Sequence, residues 1–162
     1  QCLEKMVAGR YLAGLMQAVT TELSMDYHRY SWSAADLGIL LADRTPDFTG
    51  IKLWHRQKFG VKLPSLEIAR FLSTAAGSIV ARSASLAAAT MAAVINHLGR
   101  WKSGRHIIAA DGSLIEKMPG YTEQIRQNLY CLVADKNACT DIVVTKDGSG
   151  IGAAVAAAMA DQ

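Results

Sequence analysis

Apolar residues recur at three- and four-residue steps near the start of the chain: Leu3, Met6, Val7, Tyr11, Leu15, Ala18, Val19 and Leu23. That period predicts an amphipathic helix over residues 3–23. Gly9 and Gly14 interrupt it, each at a cost of about 1 kcal/mol relative to Ala. They are expected where a ligand or a neighbouring helix comes close to the backbone. Residues 24–64 carry no clean period. Trp32, Leu37, Ile39, Leu40, Leu41 and Trp54 are apolar anchors, and Pro46 and Gly50 make residues 43–50 a loop. This stretch is expected to elaborate the packing of the core.

A long helix is predicted over residues 65–98, with Ser65 as N-cap and a bend near Gly77. Its second half (Ile79, Val80, Leu86, Met91, Ala92, Val94, Ile95) is apolar nearly all round, which predicts burial. The period then changes. Residues 106–110 read as a strand, and Asp111-Gly112 as a tight hairpin turn with Leu114 and Ile115 beginning the return strand. Pro119-Gly120 marks a turn. A helix over 121–135 is predicted to bury Ile125, Leu129, Leu132 and Val133. Residues 141–145 read as a second strand, and an Ala-rich helix follows Asp147-Gly148-Ser149-Gly150. The order argues an α/β domain, a single one at 162 residues.

Charge and composition narrow the function. The net charge is +3, spread over single Lys and Arg residues, so the basic stripe that nucleic-acid binding wants is absent. The Ala-rich run 85–95 is too short to span a bilayer. The cysteines (Cys2, Cys131, Cys139) form no CxxC pair, which points to reduced thiols and a cytoplasmic setting, although a Cys131–Cys139 bridge stays open. His28, His55, His97 and His106 lack metal-ligand spacing, so no structural zinc is expected. The chain opens on Gln1 without a signal-peptide pattern and is expected to be an internal start.

Two loops share one chemical design, a strand running into Asp-Gly-Ser: Asp111-Gly112-Ser113 and Asp147-Gly148-Ser149. Glycine lets the backbone approach an anion, and serine donates to a phosphate oxygen. A nearby Asp can hold Mg2+ directly or through water. The second loop opens a helix, whose N-terminus favours negative charge. Gly148, Gly150 and Ala153 also fit a dinucleotide fingerprint, but the strand and acidic residue it requires do not follow. No GxxxxGK[ST] loop occurs.

Leu3-Glu4-Lys5-Met6-Val7-Ala8-Gly9-Arg10-Tyr11-Leu12 resembles the hexokinase segment F-E-K-M-x-S-G-x-Y-L-G-E. Ile108-Ala109-Ala110-Asp111-Gly112-Ser113 resembles that family's second phosphate motif, and Pro119-Gly120-Tyr121 a turn it also has. Lys146-Asp147-Gly148-Ser149-Gly150-Ile151-Gly152-Ala153-Ala154 resembles its adenosine motif, E-D-G-S-G-x-G-A-A. The motifs stand in the family's order. The resemblance implies an actin-like ATPase (ribonuclease H-like) fold, with residues 1–162 forming the C-terminal portion of an incomplete large lobe. It implies that Glu4 accepts hydrogen bonds from sugar hydroxyls and that the Gly9 backbone faces the nucleotide. Asp111, Gly112 and Ser113 would lie over the phosphates, with Asp111 placed to reach Mg2+ through water. Gly148 and Ser149 would lie near the adenosine. The helix around 82–94 resembles the family's connecting helix. Departures are Ala8 for Ser, Gly14 for Glu, and Ala88 and Thr90 for glycines.

The resemblance also implies what this stretch lacks. The aspartate that takes the sugar hydroxyl proton, the Ser and Asn sugar ligands and the first phosphate loop lie N-terminal to it in hexokinases. The expected activity is therefore that of the intact protein: phosphorylation of a hexose such as glucose at its 6-hydroxyl with ATP and Mg2+, the first step of glycolysis. The partners are the hexose and the missing N-terminal lobe, with no nucleic acid and no membrane span. This chain alone is expected to be inactive. The alternatives are a non-catalytic sugar sensor or scaffold that keeps the fold, and another actin-like sugar kinase or ATPase.

Overall fold

A computed structural model describes residues 2–22, 27, 30–97, 106–133, 140–146 and 148–160. Its elements run α1 (Cys2–Val7), α2 (Gly9–Glu22), α3 (Ala34–Ala42), α4 (Thr49–Phe59), α5 (Leu66–His97), β1 (His106–Ala110), α6 (Ser113–Lys117), α7 (Tyr121–Leu132), β2 (Thr140–Val144) and α8 (Gly148–Ala160). The α/β expectation holds. Cys139, His28, Leu23 and Asp147 lie outside the described residues.

Helix α5 is the axis of the fold, and α1, α2, α3 and α7 pack on it. Ala69, Leu72, Ala76, Val80, Ala84 and Ala88 are fully buried along it. Their small side chains let neighbouring helices approach closely. Ser65 caps it as expected, its Oγ accepting the Ile68 N–H at 3.3 Å. The helix runs as one element through Gly77. Burial all round fails: Val94 is 55% exposed. Neighbours cover one stripe, through Ile79, Ser83, Ala88, Ala92 and Ile95, and leave the opposite flank open. By length and composition α5 could cross a membrane, with a mean hydropathy of 1.6 over its most apolar window; here it is the core helix.

The single helix expected over 3–23 is two. The chain bends at Ala8 between α1 and α2, and the Ala8 carbonyl accepts N–H groups from both Tyr11 (2.9 Å) and Leu12 (3.2 Å). The break resets the phase, so α2 buries Leu12, Ala13, Met16 and Thr20 rather than Leu15 and Ala18. Ser83 on α5 holds the break in place. Its hydroxyl donates to the Val7 carbonyl at 3.2 Å, which leaves Tyr121 of α7 as donor in the 2.8 Å Ser83–Tyr121 contact.

The Asp111-Gly112 hairpin does not form. Residues after Gly112 enter α6, and β1 pairs in parallel with β2, Ala110 opposite Val144. Parallel pairing needs a crossover, and α6 and α7 supply it. Gly112 sits at φ 130°, ψ 150°, a region essentially reserved for glycine and different from a hairpin turn. Helix α7 buries Ile125, Leu129 and its flanking Val133, whereas Leu132, the last residue of the helix, is 50% exposed.

Residues 30–63 elaborate the packing, as expected, and do so around one carboxylate. Ser33 and Asp36 form a capping box at the start of α3. Asp36 also accepts the Trp54 indole N–H at 2.8 Å and pairs with Lys58. Burial pushes the Asp36 carboxyl up, but hydrogen bonds from Lys58, Trp54 and Ser33 outweigh it and hold the pKa below the ordinary value. Around this group Tyr27, Trp32, Trp54, His55 and Phe59 pack ring on ring.

Candidate functional site

The C-terminal ends of β1 and β2 lie side by side, which is where ligands bind in open parallel sheets. The ladder is prolonged by the Thr145 N–H, which donates to the Ala110 carbonyl at 2.8 Å. This register brings the two Asp-Gly-Ser loops together. A Cβ built on Gly148 would lie 2.7 Å from Thr145 Oγ1 and 3.6 Å from a carboxylate oxygen of Asp111. Gly148 is thus a point of close approach between the two loops, within the protein itself. Asp111 thus stands at the N-terminus of α8, where the helix end favours negative charge. Ser149 is the next residue of α8.

A cleft of about 570 Å3 opens between α2, α3 and α6, and Gly9 and Ser113 both line it. Gly9 is a point of close approach as well: a Cβ there would lie 3.2 Å from Ala34 Cβ and 3.5 Å from Leu114 Cδ1. Gly14, in contrast, faces open space among the described residues, so no close approach explains it. The cleft's third wall is α3, through Ala34, Ala35, Gly38, Ile39 and Ala42. Of those wall residues the sequence singled out only Ile39, and that as an apolar anchor of the core. Their signal was available: Ala34, Gly38 and Ala42 recur at four-residue steps, a stripe of small residues on one helix face. Arg10 and Lys117 bring positive charge to the rim.

Glu4 lies elsewhere. It is exposed on α1 and outside the cleft lining; its carbonyl accepts the Ala8 N–H at 2.9 Å, one turn before the bend that leads to Gly9. The structure thus joins Asp111 to Gly148, and Gly9 to Ser113, with Gly112 hinging the first loop. No cluster of three His, Cys, Asp or Glu side chains is present among the described residues. Asp111 fits Mg2+ as a carboxylate that could hold the ion directly or through its waters.

The family model described as Hexokinase matches residues 1–159. The chain belongs to the hexokinase family. It is 26% identical to Hexokinase-2 of Oryza sativa subsp. japonica over the whole of this chain and 36% of that protein. Hexokinase-2 of Schizosaccharomyces pombe is 29% identical over 99% of this chain and 37% of its own length. A solved hexokinase superposes with a TM-score of 0.74 at 26% identity, over 90% of this chain and 34% of that one. The Schistosoma mansoni hexokinase complexed with glucose superposes with a TM-score of 0.82 at 22% identity, over 94% and 36%, a likeness of fold. The chain is thus a portion of the actin-like ATPase architecture. It spans a little over a third of the relatives it matches.

Proposed function

We propose that this chain is the C-terminal portion of the large lobe of a hexokinase that works in the cytosol. The intact protein would transfer the terminal phosphoryl group of ATP to the 6-hydroxyl of a hexose. The observation that carries this reading is the meeting of the two Asp-Gly-Ser loops at the ends of parallel strands, with Gly148 close to the Asp111 carboxylate. Neither loop alone would distinguish a phosphate site from a turn. The relatives named hexokinase, and a glucokinase of Aspergillus niger at 24% identity over 100% of this chain and 38% of its own length, support the sugar as acceptor. The cytosolic setting is supported by Cys2 and Cys131, which are both free thiols.

In this reading the Gly112 backbone and the Ser113 hydroxyl take the phosphates, Gly148 and Ser149 lie near the adenosine, and Gly9 lets the nucleotide lie against α2. A phosphate near the Asp111 carboxylate would be repelled by it unless a cation lay between the two. Mg2+, held by Asp111 directly or through water, would supply that neutralisation. Glu4 would orient the sugar by accepting from two hydroxyls. Phosphoryl transfer depends on positioning and on charge stabilisation, and these residues supply part of both.

Titrating the 162-residue chain with Mg-ATP, while following the amides of Gly112, Ser113 and Gly148, tests the nucleotide half. Saturable shifts at those amides are expected, and shifts that ignore them would remove the assignment. In the intact protein, Glu4→Gln should weaken hexose binding about tenfold or more, the effect of losing a charged hydrogen-bond partner. Unchanged hexose affinity would remove Glu4 from the site.

A further inference from the structure

Helix α4 carries a second concave feature, on the side of α3 away from the nucleotide cleft. The α3 residues Asp36, Leu37 and Leu40 are buried, with Asp36 bonded to Trp54 and Lys58 of α4, whereas Ala34, Gly38 and Ala42 face the cleft. The groove, of about 440 Å3, is lined by Thr49, Lys52, Leu53, Arg56, Lys62 and Leu63.

Its charge is one-sided. Residues 49–63 contain Lys52, Arg56, Lys58 and Lys62 and no Asp or Glu. Lys58 is taken up by Asp36, which leaves the other three around the groove. Of these, Lys52 reaches a carboxylate loosely, 3.6 Å from Asp47 with both side chains well exposed. Among the described residues neither Arg56 nor Lys62 has a carboxylate partner. Asp43, the other acidic residue near α4, is committed to the helix start through the Ile51 N–H at 2.8 Å and to Thr45. His55 is buried on the opposite face and hydrogen-bonded to the Val61 carbonyl, so it adds no charge to the groove.

Like charges gathered on one concavity repel, and a small anion seated between them relieves that repulsion. Arg56 offers a planar fork that matches phosphate oxygens, with Lys52 and Lys62 as flanking point charges. Leu53 is 58% exposed at the lip and Leu63 lines the groove, so an organic body attached to the phosphate would meet apolar surface. We propose that this groove is a second anion site, taking a soluble phosphate-bearing small molecule, separate from the nucleotide loops. The proposal does not rest on the kinase reading.

Inorganic pyrophosphate, titrated into the 162-residue chain with the amides of Leu53, Arg56 and Leu63 followed by NMR, provides the test. Saturable shifts at those amides are expected at low salt, weakening as ionic strength rises. The Arg56→Gln/Lys62→Gln double variant should bind at least about tenfold more weakly. Both side chains are exposed, so the variant should fold normally, which its spectrum verifies. Shifts at Gly112 and Gly148 report the other site and leave this one independently readable. The proposal is overturned if the groove amides do not saturate, or if the double variant binds equally well. It is also overturned if only vesicles containing phosphatidic acid, and not pyrophosphate, engage the groove.

Discussion

At Gly148 one hydrogen atom separates a working loop junction from a collision. A Cβ would stand 2.7 Å from Thr145 Oγ1, the hydroxyl of the residue whose N–H extends the β1–β2 ladder onto Ala110. Gly148→Val should therefore cost about 1–3 kcal/mol of stability and abolish the Mg-ATP shifts at Gly112. Urea denaturation and the same titration measure both, and a variant that still binds Mg-ATP normally would remove Gly148 from the site. Asp36 offers a contrasting residue. Asp36→Ala would strip α3 of its cap, orphan the Trp54 N–H and leave Lys58 with a part-buried charge, a loss of about 3–5 kcal/mol. Stability within 1 kcal/mol of the parent would show that the carboxylate is replaceable.

Two buried titrating groups set a pH window. Burial holds His55 below its ordinary value of 6.5, with the Val61 carbonyl acting the other way. Its Nδ1–H donates to that carbonyl at 3.0 Å and Nε2 accepts from the Tyr27 hydroxyl at 2.9 Å. The unfolded chain therefore takes up this proton first, so the contribution is complete above pH 6.5 and declines as pH falls towards the folded pKa. Tyr27 is pushed up to about 12 by burial from an ordinary 10.0. Its contribution is complete below pH 10 and is lost as pH rises towards 12. Stability should thus be flat between these limits and fall on both sides. A His55 ring that titrates at its ordinary value by NMR would contradict the acid limb.

Among elements, the strands show how pairing escapes a local reading. The run 106–110 is a strand, as its pattern predicts, but its partner is no hairpin strand a few residues on: it lies beyond α7, at β2. An Asp-Gly dipeptide carries turn propensity without saying which strand returns. The α1–α2 break was equally hidden, because Ala8 has no helix-breaking chemistry. Ser83 decides it, from more than seventy residues away in sequence. Ser83→Ala would leave the Val7 carbonyl and the Tyr121 hydroxyl short of a partner, a cost of about 1–3 kcal/mol. Amide exchange at Gly9 and Arg10 should speed up accordingly. Protection there equal to the parent's would mean that α2 packing alone holds the bend.

On the scale of the whole molecule, much apolar surface has no cover. Ile107 is 62% exposed, Val143 44%, Ile151 60% and Met159 72%, on β1, β2 and α8. Surface of this kind marks an interaction face, and the chain spans only 36% of the rice relative. The 162 residues alone should bind the dye ANS and show no sugar-dependent ATP turnover, whereas the intact protein should bind little ANS and turn over. Sugar-dependent turnover by the short chain would place a complete catalytic set within it.

The sequence by itself determined the family, through motifs that survive in order. It also determined α5, β1, α7, β2 and α8 as elements, because period and turn chemistry are local properties of the chain, but not α3, α4 or α6. It named Gly9, Asp111, Gly112, Ser113 and Gly148 for the same reason, since each belongs to a short contiguous pattern. The tertiary structure alone decided that β1 runs parallel to β2 and that Asp111 meets Gly148. It also decided that the small residues of α3 wall the cleft. Those are contacts between segments far apart in the chain, fixed by how α5 and its neighbours pack, and no local pattern encodes them.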